Sequence, residues 1–265
     1  MDDEFYSNTS DFFDDENLLE RKIPLDDEFQ QCMEQVRILQ RKSEWDSSKE
    51  VLEDFLENHP LPLDDDYEYH YFSTPIEKTI FFELFEPKKK VRILKDNYYD
   101  IFIRYASVLR LFDDNSKAKS YLKLAHDLNP VSTLPLFILA KIFDDEYEAD
   151  LVEKTLKNAL AIAQDTYDLF QTYEELAKYF KTIHEDEISQ LLFELNIHKS
   201  FESFDKEYVK NLFNRYDIPL GFNPKIVDIY HKNYVSAHFS GSDEYGAYYD
   251  YWEIAEINLF FEDDL

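Results

Sequence analysis

Apolar residues in the middle of the chain recur every three to four positions, which is the period of one face of an α-helix. Residues 99–132 show this pattern most clearly, in two successive stretches. Between the stretches lie Asp113, Asp114, Asn115 and Ser116, side chains that interrupt helices and cap their N-termini. Pro130 follows the second stretch, where it ends a helix. The pattern predicts two helices joined by a short turn.

The same pair of helices is predicted at other places along the chain. A second unit begins 34 residues later, at Thr133, and a similar unit opens earlier, at Phe29. A looser unit lies around Phe170, where Asn196 replaces the alanine of the clearer units. The interval before Tyr99 has room for one more divergent unit. The predicted repeats are therefore 29–62, a divergent 63–98, 99–132, 133–169 and 170–203.

This unit resembles the tetratricopeptide repeat, a helix–turn–helix of about 34 residues with small residues at close contacts and a terminal proline. The matching small residues are Ala106 and Ala140 in first helices and Ala118 in a second helix. The order of segments is also similar to that of bacterial proteins built from such repeats. The resemblance implies an all-α fold, a right-handed α-solenoid of helix-turn-helix units, and a scaffold rather than an activity.

Three regions fall outside the clear repeats. Residues 1–28 are dominated by acids with scattered aromatics, and we expect a solvated, disordered acidic segment; the alternative is an acidic–aromatic segment that docks on a basic groove. Residues 61–72 are predicted to form an acidic loop and residues 73–85 a helix. Residues 204–265 are predicted to form a helical cap over the last apolar face of the solenoid.

Composition narrows the partners. The chain has 57 acidic and 28 basic residues, a net charge of −29, which argues against nucleic acid and anionic membranes as partners. Its 3 glycines argue against many left-handed turns and against glycine-rich phosphate loops. No apolar stretch has the length of a membrane span and no signal-peptide pattern opens the chain, so we expect a cytoplasmic protein.

Candidate chemistry is sparse. The 7 histidines form no metalloprotease motif, and the acidic run 64–66 lacks the spacing of a calcium loop. Cys32 occupies an apolar helical position, which predicts a packed thiol rather than a reactive one. We therefore predict no catalytic residues, no metal and no cofactor. Residues 86–97 hold the one dense basic run, predicted to be solvated, paired internally or bound to an anionic ligand.

A binding surface is predicted on the first helix of each pair, on the positions turned away from the packing residues. In related repeat proteins, basic side chains of these helices grip a peptide carboxylate, and this sequence keeps only part of that lysine and asparagine pattern. The predicted partner-binding residues are Arg104, Ser107, Arg110, Phe137, Lys141, Lys178 and Lys181. The alternative is that these cations form salt bridges within the repeats.

The predicted function is a non-catalytic adaptor that holds a protein or peptide partner, in particular an acidic one, in a concave helical groove. The alternative predicted function rests on the net charge of −29: the chain would be an acidic mimic of nucleic acid that inhibits a basic protein. The oligomeric state is not predicted by any feature of the sequence.

Overall fold

The computed structural model describes residues 26–62, 64–240, 254–255 and 257–258. Within these ranges most of the chain is helical, which confirms the predicted helical fold class. Its elements, in chain order, are α1 Asp26–Arg41, α2 Trp45–Asn58, β1 Tyr67–His70, α3 Pro75–Leu84, β2 Lys90–Ile93, α4 Tyr98–Leu111, α5 Asn115–Leu128, α6 Leu134–Asp145, α7 Ala149–Ala161, α8 Thr166–Thr182, α9 Asp186–His198, α10 Lys206–Arg215 and α11 Pro224–Ser240.

The chain divides into two compact units. Unit 1 comprises Met1–Pro75 and Phe85–Pro130, and its described elements are α1, α2, both strands, α4 and α5. Unit 2 comprises Ile76–Leu84 and Val131–Leu265, and its described elements are α3 and the helices from α6 to α11.

Consecutive helices pack against each other as hairpins. In unit 1, α1 packs on α2 and α4 on α5; in unit 2, α6 packs on α7 and α8 on α9. These hairpins lie in the stretches where the repeats 29–62, 99–132, 133–169 and 170–203 were predicted. Ala106 in α4 and Ala177 in α8 are both fully buried, so a small side chain lets the paired helices approach closely.

One type of turn closes these hairpins. The residue two positions before each second helix has a left-handed backbone: Ser43, Asp113, Tyr147 and His184, with φ of 60°, 57°, 61° and 64°. The next N–H donates to a carbonyl five residues back, at 2.9, 3.0, 2.8 and 2.9 Å. This closure satisfies the last helical carbonyls and offsets the roughly 1–2 kcal/mol of left-handed backbone. The expectation that scarce glycine excludes such turns is therefore wrong.

The interval 63–98 differs from its prediction. It holds a strand, a helix and a second strand rather than the helix pair of a divergent repeat. The loop predicted over 61–72 is wrong, among its described residues, only at 67–70. β1 and β2 pair in parallel, with Tyr67 opposite Lys90 and His70 opposite Ile93. The physical reason is that alternating aromatic residues in β1 and branched apolar residues in β2 favour extended backbone when they can pair. The helix predicted over 73–85 is confirmed as α3, which covers Pro75–Leu84.

The predicted C-terminal cap is described in part. α10 and α11 lie inside 204–265, whereas most of the last predicted helix lies outside the described residues. Residues 1–25 of the acidic segment predicted over 1–28 also lie outside the described residues. Among the helices that the structure describes, none combines the length and the apolar character needed to cross a membrane.

Candidate functional site

The seven predicted partner-binding residues fall in both units. In unit 1, Arg104, Ser107 and Arg110 lie on α4. In unit 2, Phe137 and Lys141 lie on α6, and Lys178 and Lys181 lie on α8. The single groove predicted from all seven stays a prediction.

A shared position emerges when the hairpins are aligned on their left-handed turn residues. Six residues before that turn stand Arg37, Ser107, Lys141 and Lys178, one on each first helix. All four are exposed, and three are cations. Sequence analysis missed Arg37, although counting back from Ser43 by the same interval would have found it. Each described hairpin therefore presents an exposed polar side chain at one equivalent place.

In unit 2 two of these cations share one carboxylate. Glu175 Oε1 accepts hydrogen bonds from Lys178 Nζ at 3.0 Å and from Gln171 Nε2 at 3.2 Å, and it lies 3.8 Å from Lys141 Nζ. The Glu175 side chain is only 11% exposed, whereas the two lysines are about half exposed, at 47% and 48%. The carboxylate thus lies beneath two lysines that come from different hairpins of the same unit.

The contacts continue onto α9. Lys178 Nζ lies 2.6 Å from Glu174 Oε1, and this hydrogen bond holds the pKa of Glu174 below its ordinary value. Asn196 Nδ2 donates to Glu174 Oε2 at 3.0 Å, and Lys199 Nζ donates to Asn196 Oδ1. We call these side chains the unit 2 network; its members are Lys141, Gln171, Glu174, Glu175, Lys178, Asn196 and Lys199. Its lysines outnumber its glutamates, so it carries excess positive charge.

Two predicted residues lie apart from this network. Phe137 is 8% exposed and belongs to the core of unit 2, so its predicted role on a groove surface is wrong. The reason is that its face of α6 carries packing residues, which the helical period alone did not separate from the open face. Lys181 Nζ lies 2.5 Å from Asp186 Oδ1 at the α8–α9 turn, where both side chains are largely exposed.

The unit 1 residues are arranged differently. Arg104 Nη1 donates to Gln40 Oε1 at 3.4 Å, which links α4 to α1 through an amide rather than a carboxylate. Ser107 is exposed, and its hydroxyl donates to the backbone carbonyl four residues earlier at 2.8 Å. Arg110 lies in the last turn of α4, where a cation interacts favourably with the helix dipole.

A charged triad that sequence analysis missed joins three helices of unit 1. Tyr105 Oη donates to Glu53 Oε1 at 2.5 Å, and Lys117 Nζ lies 3.0 Å from the same oxygen. The hydrogen bond from Tyr105 is the main reason that the pKa of Glu53 lies below its ordinary value. Since each member is satisfied by the others, the triad ties α2, α4 and α5 together.

Each unit also holds a titratable group in an unfavourable environment. In unit 2, burial raises the pKa of Asp168 to about 6, and repulsion from Asp165 adds to this; Thr133 Oγ1 donates to Asp168 Oδ1 at 2.8 Å. In unit 1, burial lowers the pKa of His70 and His126. Because their pKa values are shifted, these groups make the stability of the fold depend on pH.

Cys32 is buried as predicted, and burial raises the pKa of its thiol to about 11, so it stays protonated at neutral pH. The described residues contain no group of three or more histidine, cysteine, aspartate or glutamate side chains placed to hold a metal ion. The described lysine and arginine side chains can bind carboxylates through charge-assisted hydrogen bonds.

No protein-family model matches this chain, and a search of curated proteins finds no match. The tetratricopeptide resemblance therefore stays a hypothesis based on the repeat pattern.

Proposed function

We propose that this chain is a non-catalytic interaction scaffold, in which helical hairpins of tetratricopeptide type hold a partner polypeptide without covalent chemistry. The supporting observation is the exposed position shared by the first helices α1, α4, α6 and α8, cationic in three of these four described hairpins. Within one unit, packed helices present such side chains at fixed spacing, which suits an extended or helical segment of a partner. The right-handed solenoid, the C-terminal cap and the cytoplasmic location are parts of the same proposal.

The chemistry of the unit 2 network supports an acidic partner. Lys141 and Lys178 both approach Glu175, and a carboxylate from a partner can take the outer hydrogen bonds of these half-exposed lysines. Charge-assisted hydrogen bonds of this kind are among the strongest polar contacts. At physiological salt, charges more than about 8 Å away are largely screened, so the distant acids do not cancel this local attraction.

The test begins with a tagged full-length chain purified from its native cell at two salt concentrations, with bound proteins identified by mass spectrometry. The doubly neutralised variant Lys141→Gln with Lys178→Gln is compared with Lys154→Gln, an exposed lysine on the second helix α7 of the same unit. We expect the double variant to recover several-fold less partner, because both first-helix cations are lost. The control is expected to recover as much partner as the unaltered chain, with unchanged circular dichroism for both.

Equal recovery by the double variant and the control would refute the proposed surface. If instead the recovered proteins are basic and all are lost steeply as salt rises, the result supports the alternative function, an acidic inhibitor of a basic protein.

A further inference from the structure

A second cluster of cations lies in unit 1, far along the sequence from the predicted groove residues of unit 2. We call it the basic patch: Lys88, Lys89, Lys90 and Arg92, at and before strand β2. The three lysines are exposed, and no carboxylate among the described residues lies within 4.0 Å of the charged atoms of any of the four. The carboxylate of Glu68 does touch the run, because its Oε1 accepts the backbone N–H of Lys88 at 2.9 Å. In a chain with 57 acids and 28 bases, a run of cations whose charged side-chain atoms have no acidic partner is unexpected.

Arg92 is held ready for a planar ligand. Its guanidinium carbon lies 3.7 Å from the centroid of the Tyr67 ring, and Nη1 lies 3.5 Å from Tyr69 Oη. Stacking on an aromatic face restrains the guanidinium while leaving its edge available, and that edge matches a carboxylate in a bidentate pair. Lys90 pairs with Tyr67 in the parallel sheet. Because residues two positions apart on a strand lie on the same side, Lys90 and Arg92 share one face of the sheet.

Neighbouring acids shape the selectivity of this patch. The acidic run 64–66 precedes β1, and because the strands are parallel it lies at the same end of the sheet as Lys88–Lys90. Asp64 is engaged in its own turn, where Oδ1 accepts the Asp66 N–H at 3.1 Å. These carboxylates lower the local positive potential, so attraction by charge alone is weak. A ligand must therefore also form hydrogen bonds with the paired N–H donors of the Arg92 guanidinium.

We propose that the basic patch docks a short carboxylate-rich segment of a partner polypeptide, with one carboxylate paired to Arg92 and flanking carboxylates bound by the lysines. A polypeptide fits better than nucleic acid because the net charge of −29 repels a long phosphate chain beyond the patch. This surface is separate from the unit 2 network, so each can fail without the other.

The test uses the full-length chain and fluorescein-labelled hexaglutamate, with binding followed by fluorescence anisotropy at low and physiological salt. Arg92→Lys keeps the charge and loses the planar fork, so we expect about tenfold weaker binding. Neutralising Lys88, Lys89 and Lys90 to glutamine should weaken binding and flatten its salt dependence. Lys123→Gln, an exposed lysine on α5 of the same unit, should bind like the unaltered chain.

Carbodiimide cross-linking with mass spectrometry then locates the contact, because it joins lysine amines to glutamates in direct proximity. Cross-links from Lys88, Lys89 or Lys90 to hexaglutamate support the proposal. It is overturned by absent binding, by equal affinity of Arg92→Lys and Lys123→Gln, or by equally tight binding of a single-stranded DNA hexamer. Cross-links from these lysines only to acids within residues 1–25 would also overturn it, in favour of an intrachain occupant.

Discussion

Unit 1 and unit 2 are both built from helical hairpins with the same left-handed turn, yet they hold their cations in different ways. In unit 2, Lys141 and Lys178 approach the shared Glu175, so a partner must compete with a carboxylate already present. In unit 1, no carboxylate among the described residues forms an ion pair with the charged side-chain atoms of the basic patch, and Glu68 contacts it only through the Lys88 backbone N–H. The comparison teaches that the availability of a cation, on a hairpin or beside a strand, depends on the acids packed next to its charged atoms.

The two units also bury opposite kinds of titratable group. Unit 1 buries His70 and His126, whose pKa values are lowered chiefly by desolvation, against Leu128, Glu68 and Asp127, which favour the protonated form. Unit 2 holds Asp168, whose pKa is raised to about 6. The contributions of these particular groups to stability should therefore change with acid in opposite directions.

The largest effect is expected from cavities at equivalent core positions, which tests whether the hairpins are alike. Leu122 on α5 and Leu156 on α7 both lie seven residues after the start of their helices, and both are buried. Leu122→Ala and Leu156→Ala should each lower the free energy of unfolding by about 2–5 kcal/mol, through lost burial and the cavity left behind. Urea denaturation measures this, and a loss below about 1 kcal/mol at one site alone would break the equivalence.

Removing the buried acid of unit 2 should have the next largest effect. Asp168 has a folded pKa of about 6 against an ordinary 3.8, so its stabilising contribution is present below pH 3.8 and is lost as pH rises through 6. Asp168→Asn should therefore raise the free energy of unfolding at pH 8 by about 1–2 kcal/mol, with the gain vanishing near pH 3.5. The exposed Glu202→Gln serves as the control in the same urea titrations. A constant or negative difference across this pH range would contradict the sign.

The histidines of unit 1 should make the free energy of unfolding fall as the pH falls, which is opposite to the effect of Asp168 and smaller. Their folded pKa values lie below the ordinary 6.5, so their contribution is present above pH 6.5 and is lost as pH falls through the lowered values. His126→Leu should reduce the loss of stability of unit 1 between pH 7.5 and 5.5 by up to about 1 kcal/mol. Hydrogen-exchange mass spectrometry, corrected for intrinsic exchange rates, measures this change as the amide protection of α4 and α5 at each pH. Identical pH responses of variant and unaltered chain would remove His126 from the explanation.

The smallest effect concerns the exposed pair of Lys181 and Asp186 at the α8–α9 turn. Because both side chains are well solvated, Lys181→Ala should leave the melting temperature unchanged. Differential scanning calorimetry measures this. A clear drop in melting temperature would show that the pair fixes the turn, contrary to the view that the left-handed turn residue closes it.

Much of the helical architecture was predictable, and the reasons are visible at particular residues. Ala106 and Ala140 recur at the 34-residue interval of the repeat, and Ala118 and Pro130 mark the helix between them, which is enough to place the hairpins α4–α5 and α6–α7. The strand Tyr67–His70 was missed because an alternation over only four residues, next to an acidic run, is too short to predict a strand, and its extended backbone depends on pairing with Lys90–Ile93.

The candidate site was predictable only in part. The ion pair of Lys178 with Glu174 follows from their spacing along one helix. The contact of Lys141 with Glu175 joins residues of different hairpins, so no local sequence pattern predicts it. The left-handed backbone at Tyr147 is likewise set by the closure of its hairpin, not by the preference of tyrosine.

The most direct test of the scaffold function places a photo-reactive amino acid at single positions of the full-length chain in its native cell. First-helix positions Ser107 and Lys141 are compared with second-helix positions Lys123 and Lys154, and all four are exposed. We predict that irradiation joins a partner polypeptide to the chain from the first-helix positions and not from the second-helix ones. Adducts from the second-helix positions alone, or none from any position, would contradict the account.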